Sequence, residues 1–152
     1  MFWISVLNLP QPLSGNKFSF FMNHLYLEAT KYTPAISFNP DIGKFEIAGI
    51  SLPEDVLGFY EPVLDWLNEF AESMIAESGG THPPLQFIFK LNYYNSGSVR
   101  FLISLLHTIK RLRDHTTVKV EWFYEKDDIH LFDNGKELEE LSGFKFDFIE
   151  LG

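Results

Sequence analysis

The chain of 152 residues contains no cysteine. Disulfides, thiolate nucleophiles and cysteine-based zinc or iron–sulfur centres are therefore excluded. A reducing, cytoplasmic setting is the simpler expectation. Basic residues are scarce: 12 Lys and Arg stand against 21 Asp and Glu, for a formal net charge of −9. That balance speaks against nucleic acid and against anionic membrane surfaces, since both need a basic footprint. Long apolar runs are missing too. Met1-Phe2-Trp3-Ile4-Ser5-Val6-Leu7 is apolar, but no Lys or Arg precedes it, Pro10 and Pro12 follow closely, and no small-residue cleavage site comes after. Neither a signal peptide nor a membrane span is expected there. Residues 1–21 read as an N-terminal extension, either a flexible arm or sequence upstream of a start at Met22, and residues 22–152 as one domain.

The catalytic and cofactor motifs are equally sparse. There is no P-loop and no G-x-G-x-x-G, so nucleotide binding has no support and no cofactor is expected. His24, His82, His107, His115 and His130 are scattered, without H-E-x-x-H or paired spacing. Asp127, Asp128 and Asp133 lack the EF-hand pattern and read as a solvated acidic turn, so no metal is expected.

Sixteen phenylalanines, in contrast, supply ample apolar area for a core and leave some for a contact surface. Leu25–Thr30 and Ala35–Phe38 read as strands, Asn39–Gly43 as a turn, and Lys44–Ile50 as an alternating, half-buried strand, together a β-hairpin. Pro53-Glu54-Asp55 opens a helical stretch, which Pro62 is expected to break or restart. Beyond it, Val63, Leu64, Leu67, Phe70, Ala71 and Met74 recur at helical spacing, and Gly79-Gly80 with Pro83-Pro84 closes the helix. Leu85–Leu91 is nearly continuous apolar and reads as a central strand covered on both faces. A second amphipathic helix over 98–113, a strand over 118–124, a short helix over 136–141 and a last strand over 144–151 complete the order. The expected fold is α/β: a hairpin, then a parallel, right-handed βαβ core, with helices packed on the sheet.

In a parallel sheet, functional groups gather beyond the carboxyl ends of the strands. Two loops are expected there, Tyr94–Ser98 and Glu125–Asp128. Ser96, followed by Gly97, is exposed beside a helix N-terminus, whose free N–H groups and partial positive charge favour a phosphoryl group. On the residues alone, Asn95, Ser96 and Ser98 also read as ordinary capping residues, and that is the simpler account. A serine hydrolase using Ser96 is a further reading, but G-x-S-x-G is absent and no motif places a histidine as its base. Trp66, Trp122, Tyr93, Tyr94 and Tyr124 are either contact anchors or core; for the two tryptophans, core is favoured.

Several separate segments resemble one family. Tyr32-Thr33-Pro34-Ala35-Ile36-Ser37-Phe38, Gly49-Ile50-Ser51-Leu52-Pro53-Glu54, Phe59-Tyr60-Glu61-Pro62-Val63-Leu64-Asp65-Trp66-Leu67, Leu91-Asn92-Tyr93-Tyr94-Asn95-Ser96-Gly97-Ser98 and Trp122-Phe123-Tyr124 occur in the order seen in the SiaC-type bacterial regulatory phosphoproteins. The resemblance covers the chain from about Leu25 to its end. It implies a fold like the STAS-domain anti-sigma-factor antagonists and a partner-switching cycle. In that cycle a cognate kinase phosphorylates the protein, a PP2C-like phosphatase reverses it, and the unphosphorylated form activates a diguanylate cyclase. The family's acceptor falls on Ser96, with Ser98 in reserve because Gly97 stands where a third hydroxyl is usual. Tyr94, Asn95, Gly97, Ser98, Asp127 and Asp128 are then the expected partner-binding residues. A constitutive interaction module, its aromatic surface permanently covered, is the alternative.

Overall fold

The computed structural model describes residues 5–7, 23–77 and 82–152. The elements run β1 (Ser5–Leu7), β2 (His24–Leu27), β3 (Ala35–Asn39), β4 (Lys44–Ser51), α1 (Val56–Ala76), β5 (Leu85–Tyr94), α2 (Ser96–Leu112), β6 (Val118–Glu125), α3 (Ile129–Ser142) and β7 (Asp147–Leu151). The strands lie side by side in chain order. β1 to β4 pair antiparallel, and β4 to β7 pair parallel, with one helix on each parallel connection. The expected hairpin and βαβ core are both present, and the parallel part extends to two further units. Gly79-Gly80 lies outside the described residues.

One side-chain parity of the sheet faces the helices. Ile36, Phe38, Phe45, Ile47, Phe87, Phe89, Leu91, Val120 and Trp122 form a single cluster with the buried stripes of all three helices. Trp66 and Trp122 both belong to it, so the core reading of the two tryptophans holds. The opposite parity carries Ser37, Lys90 and Lys119, all exposed. There Gln86 donates to Glu121 at 2.7 Å and the Lys90 ammonium stands 4.9 Å from the Phe123 ring centre. β5 is central, as expected, but no described element covers its outer face, where among the described residues only Ile88 of this strand is buried. The apolar run of β5 reflects its place in the middle of the sheet, and the helices occupy one layer.

Several boundaries differ from the sequence reading, among them the start of the last strand, at Asp147 rather than 144. β2 ends at Leu27, because Thr30 turns the chain by accepting N–H bonds from Tyr32 (3.2 Å) and Thr33 (3.0 Å). Pro62 does not break α1, which is continuous. Burial of Phe59, Tyr60, Val63, Trp66 and Leu67 on both sides of it outweighs the missing hydrogen bond. The third helix begins at Ile129 rather than 136, because Asp128 caps it and Leu131 and Leu138 anchor it. Asp133-Asn134-Gly135 has turn composition, yet Gly135 is helical because the helix crosses close over Trp122. A Cβ at Gly135 would collide with the indole Nε1, which donates to the Leu131 carbonyl at 3.1 Å. Finally, β5 continues through Tyr94.

That extension contains a bulge. Gly49 pairs with Leu91, but Ile50 pairs with Tyr93, so Asn92 is an extra residue in β5. Gly49 has a φ of 115°, a conformation that side-chain-bearing residues rarely adopt. The bulge reverses the alternation. Tyr94 therefore turns to the helix side, edge-on to Trp122 with ring centres 6.1 Å apart. Tyr93 turns outward and is 52% exposed.

Candidate functional site

The carboxyl ends of β4, β5 and β6 lie at one end of the sheet, and each runs within a few residues into a helix. Each helix is capped by a side chain that accepts the N–H three residues on. Asp55 accepts from Gly58 at 2.9 Å, Asn95 from Ser98 at 3.0 Å, and Asp128 from Leu131 at 2.9 Å. These bonds satisfy donors that a helix start leaves free. Asp128 is thus a half-buried cap of α3, whereas Asp127 is exposed beside it.

The expected Tyr94–Ser98 loop is a single residue, Asn95, between β5 and α2. Ser96, Gly97 and Ser98 form the first turn of α2. Ser96 and Gly97 are exposed, and the Ser96 hydroxyl has no hydrogen-bond partner among the described residues. A Cβ at Gly97 would come within 3.4 Å of Val56 Cγ2, so the starts of α1 and α2 touch.

Ser98 is different. It is fully buried, and its hydroxyl donates to Asn95 Oδ1 at 2.7 Å. It also meets the Ser51 hydroxyl at 2.8 Å, and Ser51 meets the Tyr60 phenol at 2.6 Å. Ser51, at the end of β4, also accepts the Asn95 N–H through its carbonyl at 3.0 Å. Four elements of structure therefore converge under the turn. Burial pushes the Tyr60 phenol up to about 12, against the lowering effect of the Ser51 and Ser98 hydroxyls, so it stays a neutral donor. The Tyr94 phenol is raised well above its ordinary value, first by burial and then by the charge of Glu137. Tyr94 accordingly lies behind the turn, against α3, while Tyr93 stands beside it at the surface.

Ser51 and Tyr60 escaped the sequence reading. Ser51 does carry a signal: it falls at an inward position of a strand whose other inward residues are Phe45 and Ile47. A hydroxyl at such a position requires a buried partner. Among the described residues, no group of three or more His, Asp or Glu is placed to hold a metal ion, and no helix is long and apolar enough to cross a membrane.

Comparison with known proteins agrees with this architecture. The model of the SiaC family regulatory phosphoproteins matches residues 27–151. An uncharacterized protein of Pseudomonas aeruginosa (strain UCBPP-PA14) is 25% identical over 126 residues, covering 82% of this chain and 94% of that protein. Apo-SiaC from Pseudomonas aeruginosa shares the fold with a TM-score of 0.69 at 24% identity, over 86% of this chain and 100% of the other. A crystal structure of the diguanylate cyclase SiaD in complex with its activator SiaC, from the same organism, gives 0.71 at 23% identity, over 84% and 99%. With its family model matched from β2 to β7 and the sheet order and helix placement in accord, the chain belongs to the SiaC family of regulatory phosphoproteins.

Proposed function

We propose that the chain is a phosphorylation-controlled partner switch acting on a diguanylate cyclase. The unphosphorylated form binds and activates the cyclase, and phosphorylation of Ser96 by a cognate kinase releases it. A PP2C-like phosphatase restores the binding form, and all of these steps take place in the cytoplasm. The protein acts by binding and carries out no chemistry of its own. Residues 22–152 carry the switch, and the N-terminal extension adds β1 to the edge of their sheet.

The observation that carries this reading is the contrast between two serines two residues apart. Ser96 is exposed and its hydroxyl has no partner among the described residues, whereas Ser98 is buried and bonded on both sides. A kinase needs the first kind, so Ser96 is the acceptor and Ser98 is a structural member of the turn. Family membership supports the modification, and the activator role of a SiaC towards a diguanylate cyclase supports the partner.

The surroundings suit binding. Leu57 (54% exposed), Tyr93 and Ile129 (62%) offer apolar surface from α1, β5 and α3 at the same end of the sheet as the turn. Asn95 and Gly97 supply the contact at its centre, with Tyr94 and Ser98 supporting them from behind. A phosphoryl group on Ser96 adds about −1.5 to −2 charge at an end that already holds Glu54, Asp55, Asp127 and Asp128. Repulsion and steric bulk then dislodge the partner.

The test is incubation with the kinase and ATP, followed by mass spectrometry and cyclase binding. Phosphate is expected on Ser96, with Ser96→Ala unmodified yet still binding and Ser96→Asp not binding. Phosphate elsewhere in Ser96→Ala, at wild-type stoichiometry, overturns the assignment.

A further inference from the structure

The buried hydroxyls beneath the turn form a chain with a direction. Asn95 Oδ1 accepts the Ser98 N–H at 3.0 Å, so that atom carries no proton, and the Ser98 hydroxyl must donate to it. With its proton so placed, Ser98 Oγ accepts from Ser51, and Ser51 Oγ in turn accepts from Tyr60. The order Tyr60 to Ser51 to Ser98 to Asn95 is the one assignment that satisfies every short contact. It links α1, β4 and α2 to the single residue between β5 and α2.

The chain also has a second resting position. Ser98 Oγ lies 3.3 Å from the Ser51 carbonyl oxygen, a longer contact than the 2.7 Å to Asn95. If Asn95 swings away, the Ser98 hydroxyl rotates onto that carbonyl. No buried hydroxyl is then left unsatisfied, which is the outcome that usually makes such an opening costly.

We propose that Tyr60, Ser51 and Ser98 are positioning residues of the switch. They hold the Asn95 amide in one orientation, so that Ser96 is presented in one geometry, and they let the turn open without stranding a polar group in the core. None of the three reaches the phosphoryl group or the partner. This inference rests on the turn being the switch, but its test uses the unmodified full chain. Its failure would therefore leave phosphorylation of Ser96 untouched, and failure of the Ser96 assignment would leave the chain of hydroxyls standing.

The experiment is amide hydrogen exchange by NMR on the wild type, Tyr60→Phe and the double variant Tyr60→Phe/Ser51→Ala. The double variant removes both lower hydroxyls together and so strands neither. Tyr60→Phe keeps the ring that stacks on Phe101 at 5.6 Å and guards against a folding failure. Exchange at the Ser98 amide is expected to rise about tenfold in the double variant, the scale of one lost hydrogen bond, and less in Tyr60→Phe. Amides of Leu106 and Ile109, farther along the same helix, should keep their wild-type rates. Unchanged exchange at Ser98 in the double variant, or an equal rise at Leu106 and Ile109, overturns the proposal.

Discussion

At the scale of single residues, the site depends on what is small or polar in places that composition alone makes look ordinary. Gly135 is the sharpest case. In a helix interior alanine is favoured over glycine by up to about 1 kcal/mol. Here a Cβ would meet the buried Trp122 indole. Gly135→Ala is therefore expected to destabilise the protein by about 1–3 kcal/mol, read as a lower urea midpoint. A gain in stability would show that α3 moves off the sheet freely. The residues of the turn were legible in the sequence because capping chemistry and a Ser-Gly pair are local signals. Ser51 and Tyr60 were not, because Ser51 meets Ser98 across 47 positions of chain and Tyr60 joins them through Ser51. Only the fold brings those hydroxyls together.

Among the elements, legibility followed the competition between local preference and burial. The strands from β2 onward and α2 announced themselves by their apolar patterns, whereas β1 falls in residues that read only as part of an N-terminal extension. Pro62 predicted a break that did not occur, and the third helix was expected only from Lys136, seven residues late, since buried residues hold both helices in one piece. The end of α3 offers a measurable consequence. Glu139 accepts the Phe146 N–H at 2.8 Å and pairs with Lys136 at 3.0 Å, tying the helix to the approach to β7. Burial pushes its carboxyl up, but that hydrogen bond and the charges of Lys136 and Lys145 outweigh burial and leave it below its ordinary value of 4.5. A carboxylate lowered in this way stabilises the folded state above its unfolded pKa, and the contribution is lost as pH falls through the folded one. Thermal melts should therefore lose stability on acidification below about pH 5, and the part due to this group should vanish in Glu139→Gln. Equal acid sensitivity in the variant would refute the role of Glu139.

For the molecule as a whole, one cluster reaches from Leu25 in β2 to Phe146 before β7 and contains the stripes of all three helices. Folding should then be all-or-none. Variants keeping either Trp66 or Trp122 as the one tryptophan should report the same denaturant midpoint by fluorescence, and separated midpoints would mean two cooperative units. The net charge of −9 keeps such a molecule soluble and leaves recognition to a limited apolar area. The extra residue at Asn92 decides how that area is divided. A strand counts in twos, and one added residue exchanges the two sides for everything after it. Tyr93 consequently looks out beside Ile50, on the side of the sheet away from the helices, while Leu57 is exposed on α1. Ser96 lies three residues past Tyr93 in the chain and in the same turn as Gly97, which faces Val56 next to Leu57. If Ser96 is the acceptor, as proposed, one small group there stands between two unlike surfaces.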